Sequence, residues 1–290
     1  MIAVVALATL RTAQLTIPPD LLARGRLRIG DDAPGTRTPM LDIYHWEPNA
    51  NAGKPLLAAL EKGVPFTSHY IDMLAFDQHK PEYLAVNPAG TIPAMVHDGT
   101  LIFESTYMID YIDMAFEGPA LRPSDPYELW RMRWWCRFFD QYVGPATSQL
   151  GWSTFVGPMV RQRDQDELKA AIERIPTKER RIAWSKAIYG SFSDEELAES
   201  RARLMSGIEA IDQALGDHDW IAGDNYSAAD LAGFMMLFGL PVMFPEAAND
   251  DRTPAFMGWL RRVAGRESVR TALDKGTGRF ADRFRELLAG

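Results

Sequence analysis

Residues 87–105 read NPAGTIPAMVHDGTLIFES, and this stretch decides the fold. Pro93 leads into the short apolar strand 94–96, where it withholds one N–H group and fixes φ. If the Ile92–Pro93 bond is cis, Ile92 turns its own N–H and C=O outward, and an extended ligand could pair with both. The dipeptide Asp98-Gly99 favours a tight hairpin after the strand. The pattern therefore predicts either a plain hairpin or a ligand site made mainly of backbone.

Glu104 and Ser105 follow at the point where the second strand gives way to a helix. Ser105 is predicted to be the N-cap of that helix, because a serine side chain accepts a hydrogen bond from the first turn. Free N–H groups at a helix start also suit a carboxylate. Without a ligand, the same residues describe a hairpin followed by a capped helix.

The pattern Asn-Pro-x-Gly-x-Ile-Pro-Ala, followed by Asp-Gly and Glu-Ser, resembles the glutathione-binding half of the glutathione transferases. A second signature, YSAADLA at 226–232, is similar to the buried capping box of that family's helical domain. Ser227 and Asp230 have the spacing at which the acid reaches back to the cap's own N–H. The resemblance covers about Leu41 to the C-terminus. It implies an α/β, thioredoxin-like N-terminal domain followed by an all-α domain.

Composition limits the classes of function that the chain can have. The 290 residues are 47% hydrophobic and 24% charged, as in ordinary globular proteins, and the formal net charge of -8 argues against a nucleic-acid partner. No apolar stretch is as long as a membrane span. The single cysteine, Cys136, is expected to be a buried packing thiol and suits a reducing cytoplasm. The scattered histidines show no metal-ligand spacing, so no metal is expected.

Four regions are predicted from the pattern. Residues 1–39 form an extension that is expected to be disordered, and translation is hypothesised to begin at Met40. Residues 40–117 form the thioredoxin-like, glutathione-binding domain, 118–126 a linker rich in proline, and 127–290 the helical domain. Within the last of these, 157–189 is longer and more polar than a minimal bundle requires. It resembles an inserted segment found in one bacterial branch of the family.

The loop 47–55, EPNANAGKP, follows the first predicted strand, where most branches place a Ser, Tyr or Cys that assists the glutathione sulfur. None of the three occurs here. The loop instead resembles the branch of the bacterial lignin β-etherases, whose local pattern is Ala-Asn-Ser followed by Lys-Pro. Ala52 stands where that serine would be, so the amide of Asn51 is the predicted catalytic donor. Asn51 could instead be a helix N-cap or turn residue, and Asn49 could replace it as donor.

The resemblance also implies where glutathione binds. Glu104 and Ser105 would hold the γ-glutamyl end, and Ile92, beside Pro93, would pair its backbone with the cysteinyl part. His79 would lie near the glycyl carboxylate, or else be a solvated residue before a helix. Lys54 would approach that carboxylate or the thiolate, or face water.

A flat aromatic substrate would bind between the loop and the helix that begins near residue 127. The residues predicted to line this pocket are Trp46, Tyr142, Gln149 and Trp152, with Phe138 and Phe155 as further candidates. Several of these rings could equally pack the bundle. The expected reaction is glutathione-dependent cleavage of a β-aryl ether by a homodimer or heterodimer. The alternatives are a non-catalytic subunit of a heterodimeric etherase and a transferase or isomerase for another substrate.

Overall fold

The computed structural model describes residues 41–278. The predicted extension 1–39 and the last residues, 279–290, lie outside the described part. The sheet is formed by β1 (Leu41–His45), β2 (Thr67–Tyr70), β3 (Ala94–His97) and β4 (Thr100–Ile102). The helices of the same half are α1 (Ala50–Lys62), α2 (Pro81–Val86) and α3 (Ser105–Ala115), with 3₁₀ turns at Met73–Ala75 and Asp77–His79.

The four strands lie in the order β2-β1-β3-β4. β1 pairs parallel with β2 through the α1 crossover, whereas β3 is antiparallel to β1 and to β4. Alternate residues of β1, beginning with Leu41 and Ile43, are buried, as period-two patterning predicts. The predicted hairpin is confirmed: Asp98 and Gly99 both have positive φ, 48° and 74°, as a type I′ turn requires.

Helices make up the rest of the described chain. They are α4 (Pro126–Phe138), α5 (Gly144–Gly151), α6 (Gly157–Val160), α7 (Gln165–Glu173), α8 (Lys178–Tyr189), α9 (Asp194–Leu215), α10 (Ala228–Leu237), α11 (Leu240–Met243), α12 (Pro254–Ala264) and α13 (Glu267–Leu273). The π-helical segments Phe139–Val143 and Trp152–Val156 join α4, α5 and α6 without leaving helical backbone angles. Residues 126–160 are therefore one long helix that widens twice. Such widened turns are frequent at functional sites.

One hydrophobic core joins the sheet half to the helical half. α1 packs on α3 and on α10, and Gly53 permits the close approach of α10. A Cβ at Gly53 would lie 2.4 Å from the Met235 sulfur, so a larger residue there would push the two helices apart. The position of the loop before α1 is thus fixed by the helical half.

A second apolar cluster attaches the inserted segment to the N-terminal half. It includes Phe76 from the sheet half together with Val160, Leu168, Ile172, Ile175 and Ile188. Phe76 is fully buried, and its ring centroid lies 5.2 Å from that of Trp184 on α8. The insertion is therefore packed against the turn that precedes α2.

The structure corrects two predicted helix starts. The N-cap before α3 is Glu104, with φ of 69°, and Ser105 is the first helical residue rather than the cap. The sharp turn out of β4 requires positive φ, and it moves the cap back by one residue. The pattern that ends at Gly63 predicts a helix over Lys54–Lys62, whereas α1 begins at Ala50. Pro55 therefore lies at the sixth position of α1, where its missing N–H costs the helix one bond, to Asn51.

Candidate glutathione site

The turn before β3 is held in place by two buried side chains. Asn87 donates through Nδ2 to the Thr91 carbonyl and hydroxyl oxygens, at 2.9 and 3.0 Å, and its Oδ1 accepts from Ala89 N. The Tyr83 hydroxyl donates to the same Thr91 carbonyl at 2.6 Å. These bonds fix the backbone that leads into Ile92. Asn87 belongs to the motif, yet its role as an anchor was not predicted.

The Ile92–Pro93 bond is cis, which is the condition under which the sequence predicts an outward-facing Ile92 backbone. Within the described residues, neither the N–H nor the C=O of Ile92 takes part in a hydrogen bond. The side chain of Ile92 is half-buried, whereas Pro93 beside it is buried. A backbone donor and a backbone acceptor are thus available for an extended ligand. The role of Ile92 in binding glutathione stays a prediction.

Lys54 lies among polar groups that two parts of the chain provide. Its side chain is 0% exposed, and its Nζ donates to Asp140 Oδ1 at 2.6 Å and to Thr106 Oγ1 at 3.2 Å. Thr106 in turn donates to Asp140 Oδ2 at 2.7 Å. Lys54 therefore does not face water, and it lies beside the Glu104 end of the site. The pairing was missed because Asp140 comes from the widened turn Phe139–Val143, 86 residues away.

Glu104 lies at the start of α3, where the residue is exposed but its carboxyl group is partly desolvated and lies in the field of Lys54 and Asp140. Desolvation and the Asp140 carboxylate raise its pKa, while Lys54 opposes them. With all three groups ionised, two carboxylates face one ammonium, so the group carries an excess negative charge. Ser105 presents first-turn N–H groups beside it. This arrangement suits a ligand group that has both an ammonium and a carboxylate.

The loop 47–51 is anchored from the C-terminal side. Glu47 is buried and accepts hydrogen bonds from the Tyr70 hydroxyl, at 2.9 Å, and from Thr277 N. A Cβ at Gly276 would lie 2.5 Å from Glu47 Oε2, so glycine is required for this contact. The anchor fixes where α1 begins. A single acidic residue in a loop does not by itself predict such an anchor, so this role of Glu47 was not predicted from the sequence.

Asn51 is the second residue of α1, and its side chain is exposed. The N-cap position belongs to Asn49, whose side chain makes no capping hydrogen bond, so the interpretation of Asn51 as an N-cap is wrong. Ala50, between them, has φ of 44°. The Asn51 amide is therefore free to donate near the positive end of the α1 dipole. Its catalytic role stays a prediction.

His79 is fully buried, so the solvated interpretation is wrong. Its ring lies 6.0 Å from Phe76 and 5.5 Å from Trp184, centroid to centroid. Burial, with Arg180 and Arg174 nearby, lowers the pKa of His79 to about 3. The imidazole is neutral at pH 7. It cannot hold a carboxylate as a cation there.

The pKa of His79 predicts a pH-dependent stability. The unfolded imidazole binds a proton below its ordinary pKa of 6.5, whereas the folded one does not until about pH 3, so stability falls as pH decreases between these values. From pH 7 to pH 5 the wild type should lose about 2 kcal/mol more of its free energy of unfolding than His79→Gln. Urea unfolding at the two pH values measures this. Equal losses in both proteins would contradict the assignment.

The predicted substrate residues make contacts within the protein itself. The Tyr142 hydroxyl lies 3.0 Å from Ser206 Oγ, and Gln149 Oε1 accepts from Ser200 at 3.1 Å, so both polar groups are held against α9. Trp152 packs on Trp184, at 4.8 Å between centroids. Trp46 is buried, Phe138 stacks on Tyr142, and Phe155 packs on the main core. Their contacts with a substrate stay predictions.

Several groups outside this site have ordinary roles. Cys136 is buried, as predicted, and burial raises its pKa to about 12, which keeps it a thiol.

Among residues 41–278 there is no group of three or more side chains placed to hold a metal ion. Within the same range, no helix combines the length and the apolar character needed to cross a bilayer.

Comparisons with known proteins agree with the fold. The family model described as "Glutathione S-transferase, N-terminal domain" matches residues 50–115, and "Glutathione S-transferase, C-terminal domain" matches residues 194–262. Protein LigF from Sphingobium sp. (strain NBRC 103272 / SYK-6) is 30% identical over 241 residues, which cover 81% of this chain and 93% of LigF. The chain belongs to the glutathione S-transferase family and is a glutathione S-transferase enzyme.

Solved structures define the resemblance further. The crystal structure of the β-etherase LigF from Sphingobium sp. strain SYK-6 matches with a TM-score of 0.78 over 81% of this chain and 99% of that one. A family member from Pseudomonas fluorescens pf-5 with two glutathione molecules bound matches with a TM-score of 0.59 at 22% identity, over 80% of this chain and 92% of the other. The latter likeness concerns the fold alone. The chain is thus a glutathione transferase that is similar to LigF.

Proposed function

We propose that this protein uses the glutathione thiolate to cleave a β-aryl ether of a lignin-derived aromatic ketone. The observation that carries the proposal is the match to the β-etherase LigF, at 30% identity and a TM-score of 0.78. The loop with Ala50-Asn51 and Lys54-Pro55 supports the same branch. A cytoplasmic dimer is part of the proposal, as a homodimer or as a heterodimer with a related transferase.

In the proposed reaction, the thiolate attacks the carbon that bears the aryloxy group, next to the ketone. A C–S bond forms and the C–O bond breaks, and the aryl oxide leaves with the electron pair and takes up a proton to give a phenol. Lowering a thiol pKa of ~8.5 by two units needs about 2.7 kcal/mol of differential stabilisation. A charge-assisted hydrogen bond from the Asn51 amide, with the α1 dipole, can supply that amount.

The chain's own residues have distinct roles in this scheme. Ile92 would pair with the cysteinyl backbone, and Glu104 and Ser105 would hold the γ-glutamyl ammonium and carboxylate. Lys54, which is bound to Asp140, would keep the cluster of Lys54, Asp140 and Glu104 in place at the start of α3. Holding both reactants in register removes most of the entropic cost of a bimolecular step.

Incubation with glutathione and a β-aryloxy ketone tests the proposal. We expect phenol and the glutathione thioether to form in equal amounts, measured together by chromatography. A reaction without enzyme is the control for spontaneous cleavage. Conjugation of a halonitrobenzene without any release of phenol would defeat the etherase part and leave the transferase.

A second candidate is a stabilising subunit of a heterodimeric etherase with little activity of its own. Ala52 favours it, because the hydroxyl that the branch places there is missing. Co-purification with a related subunit, combined with inactivity of this chain alone, would support it. A homodimer that turns over would exclude it.

A further inference from the structure

The inserted segment reaches the turn that precedes Ile92. Arg180, in the first turn of α8, donates through Nη1 to the Ala89 carbonyl and through Nη2 to the Gly90 carbonyl, the latter at 3.1 Å. Arg163, at the other end of the insertion, donates to the Leu74 carbonyl at 3.2 Å. A residue of the helical half is thereby placed two residues from Ile92, the predicted partner of the ligand backbone.

Arg180 has a charge without a counter-ion in the described part of the chain. Its hydrogen bonds there go only to two neutral carbonyls, and desolvation lowers its pKa. A guanidinium has five N–H donors, so three are left for another acceptor. A partly buried cation is expensive unless it is paired with an anion. The position is therefore suited to an anionic ligand.

Polar atoms around the same turn also have no partners. Gln78 is buried, and neither its Oε1 nor its Nε2 makes a hydrogen bond with the described residues. Gly90 lies against the His79 ring, because a Cβ at Gly90 would be 2.9 Å from His79 Cδ2. Buried polar groups are normally satisfied, so the unpartnered amide of Gln78 indicates a missing molecule.

The direction of the tripeptide connects these observations. With its γ-glutamyl end at Glu104 and its cysteine at Ile92, the glycine leads away from α3, towards Thr91 and Gly90. Successive residues of an extended chain are at most about 3.6 Å apart, so a ligand residue beyond Ile92 comes within reach of the Gly90 carbonyl and its guanidinium partner.

We propose that Arg180 of the inserted helix binds the glycyl carboxylate of glutathione, in place of the predicted His79. The inference rests on the proposed use of glutathione. The neutral, enclosed imidazole of His79 serves as a packing surface for Trp184 and Gly90. The insertion thus supplies one end of the glutathione site, and a bidentate pair with the carboxylate would satisfy the remaining donors of Arg180.

The test compares glutathione with its glycyl ethyl ester, in which a neutral ester replaces the carboxylate. Calorimetry should show that the wild type binds glutathione about 30-fold more tightly than the ester, as the loss of a charged hydrogen bond implies. Arg180→Met should bind the two with Kd values within about 3-fold, and Arg180→Lys should retain part of the preference. Arg181→Met is the matched control, because it loses an arginine bond to the Ile175 carbonyl in the same segment.

The outcomes separate this inference from the proposed function. If Arg180→Met keeps the full preference of the wild type, or if the wild type shows none, the inference is overturned while glutathione binding stands. If the wild type binds neither ligand, both proposals fail. If Arg180→Met binds both ligands more weakly but keeps the preference for glutathione, Arg180 only holds the turn 87–90. This result also overturns the inference.

Discussion

Replacing Asn51 with alanine is expected to lower kcat for β-aryl ether cleavage about 100-fold at pH 7, because one donor to the developing charge at the sulfur is lost. The KM for glutathione should change by less than about 3-fold, since the tripeptide is held elsewhere. The amide is exposed at the second position of α1 and has no capping role to lose. Stability should therefore stay close to that of the wild type.

The pH profile distinguishes a donor to the thiolate from a structural effect. Without Asn51, the bound thiol should ionise closer to its ordinary pKa of ~8.5, so the rate should recover as the pH rises above 8. Asn49→Ala tests the neighbouring amide, and Ala52→Ser in the Asn51→Ala background restores a hydroxyl at the branch's usual position. A large loss in Asn49→Ala with none in Asn51→Ala would assign the role to the other asparagine.

Replacing Asp230 with alanine should reduce the free energy of unfolding by about 4 kcal/mol, because it orphans buried donors. The carboxylate is 0% exposed and accepts from Ile221 N, Ser227 N and Trp259 Nε1, each at 2.9 Å. Burial raises its pKa to about 6, so it is still ionised at pH 7. Urea unfolding monitored by tryptophan fluorescence measures the loss.

An exposed aspartate provides the matched control. Asp250 pairs with Arg261 at 2.6 Å, but its side chain is 59% exposed, and such pairs contribute about 0–1 kcal/mol. Asp250→Ala should therefore leave stability nearly unchanged. If Asp230→Ala lowered the free energy of unfolding no more than Asp250→Ala does, the claim that the buried capping box stabilises the helical half would be contradicted.

The sequence predicted features whose causes are local. The Asp98-Gly99 turn follows from residue types at fixed spacing, and it is present. The Ser227–Asp230 box is also present. The predicted N-cap of α3 was wrong, because the turn out of β4 places the cap at Glu104 rather than at Ser105.

Contacts between distant segments could not be predicted from spacing. Lys54 was expected near a ligand carboxylate, near the thiolate or in water, and the structure pairs it with Asp140 in the helical half. His79 was expected near the glycyl end, but the insertion buries it under Trp184. The sequence predicted that 157–189 is an inserted segment. The packing around Phe76 shows which surface of the N-terminal half that segment covers. The boundaries at 117 and 126 and the roles of individual site residues stay predictions.

A crystal structure of the protein with glutathione bound tests the account most directly. We predict the sulfur within about 3.5 Å of Asn51 Nδ2, the cysteinyl backbone paired with Ile92, and the γ-glutamyl group at Glu104 and Ser105. The glycyl carboxylate should contact Arg180. A complex in which the sulfur points away from the start of α1, or in which the tripeptide lies outside the 87–105 stretch, would contradict it.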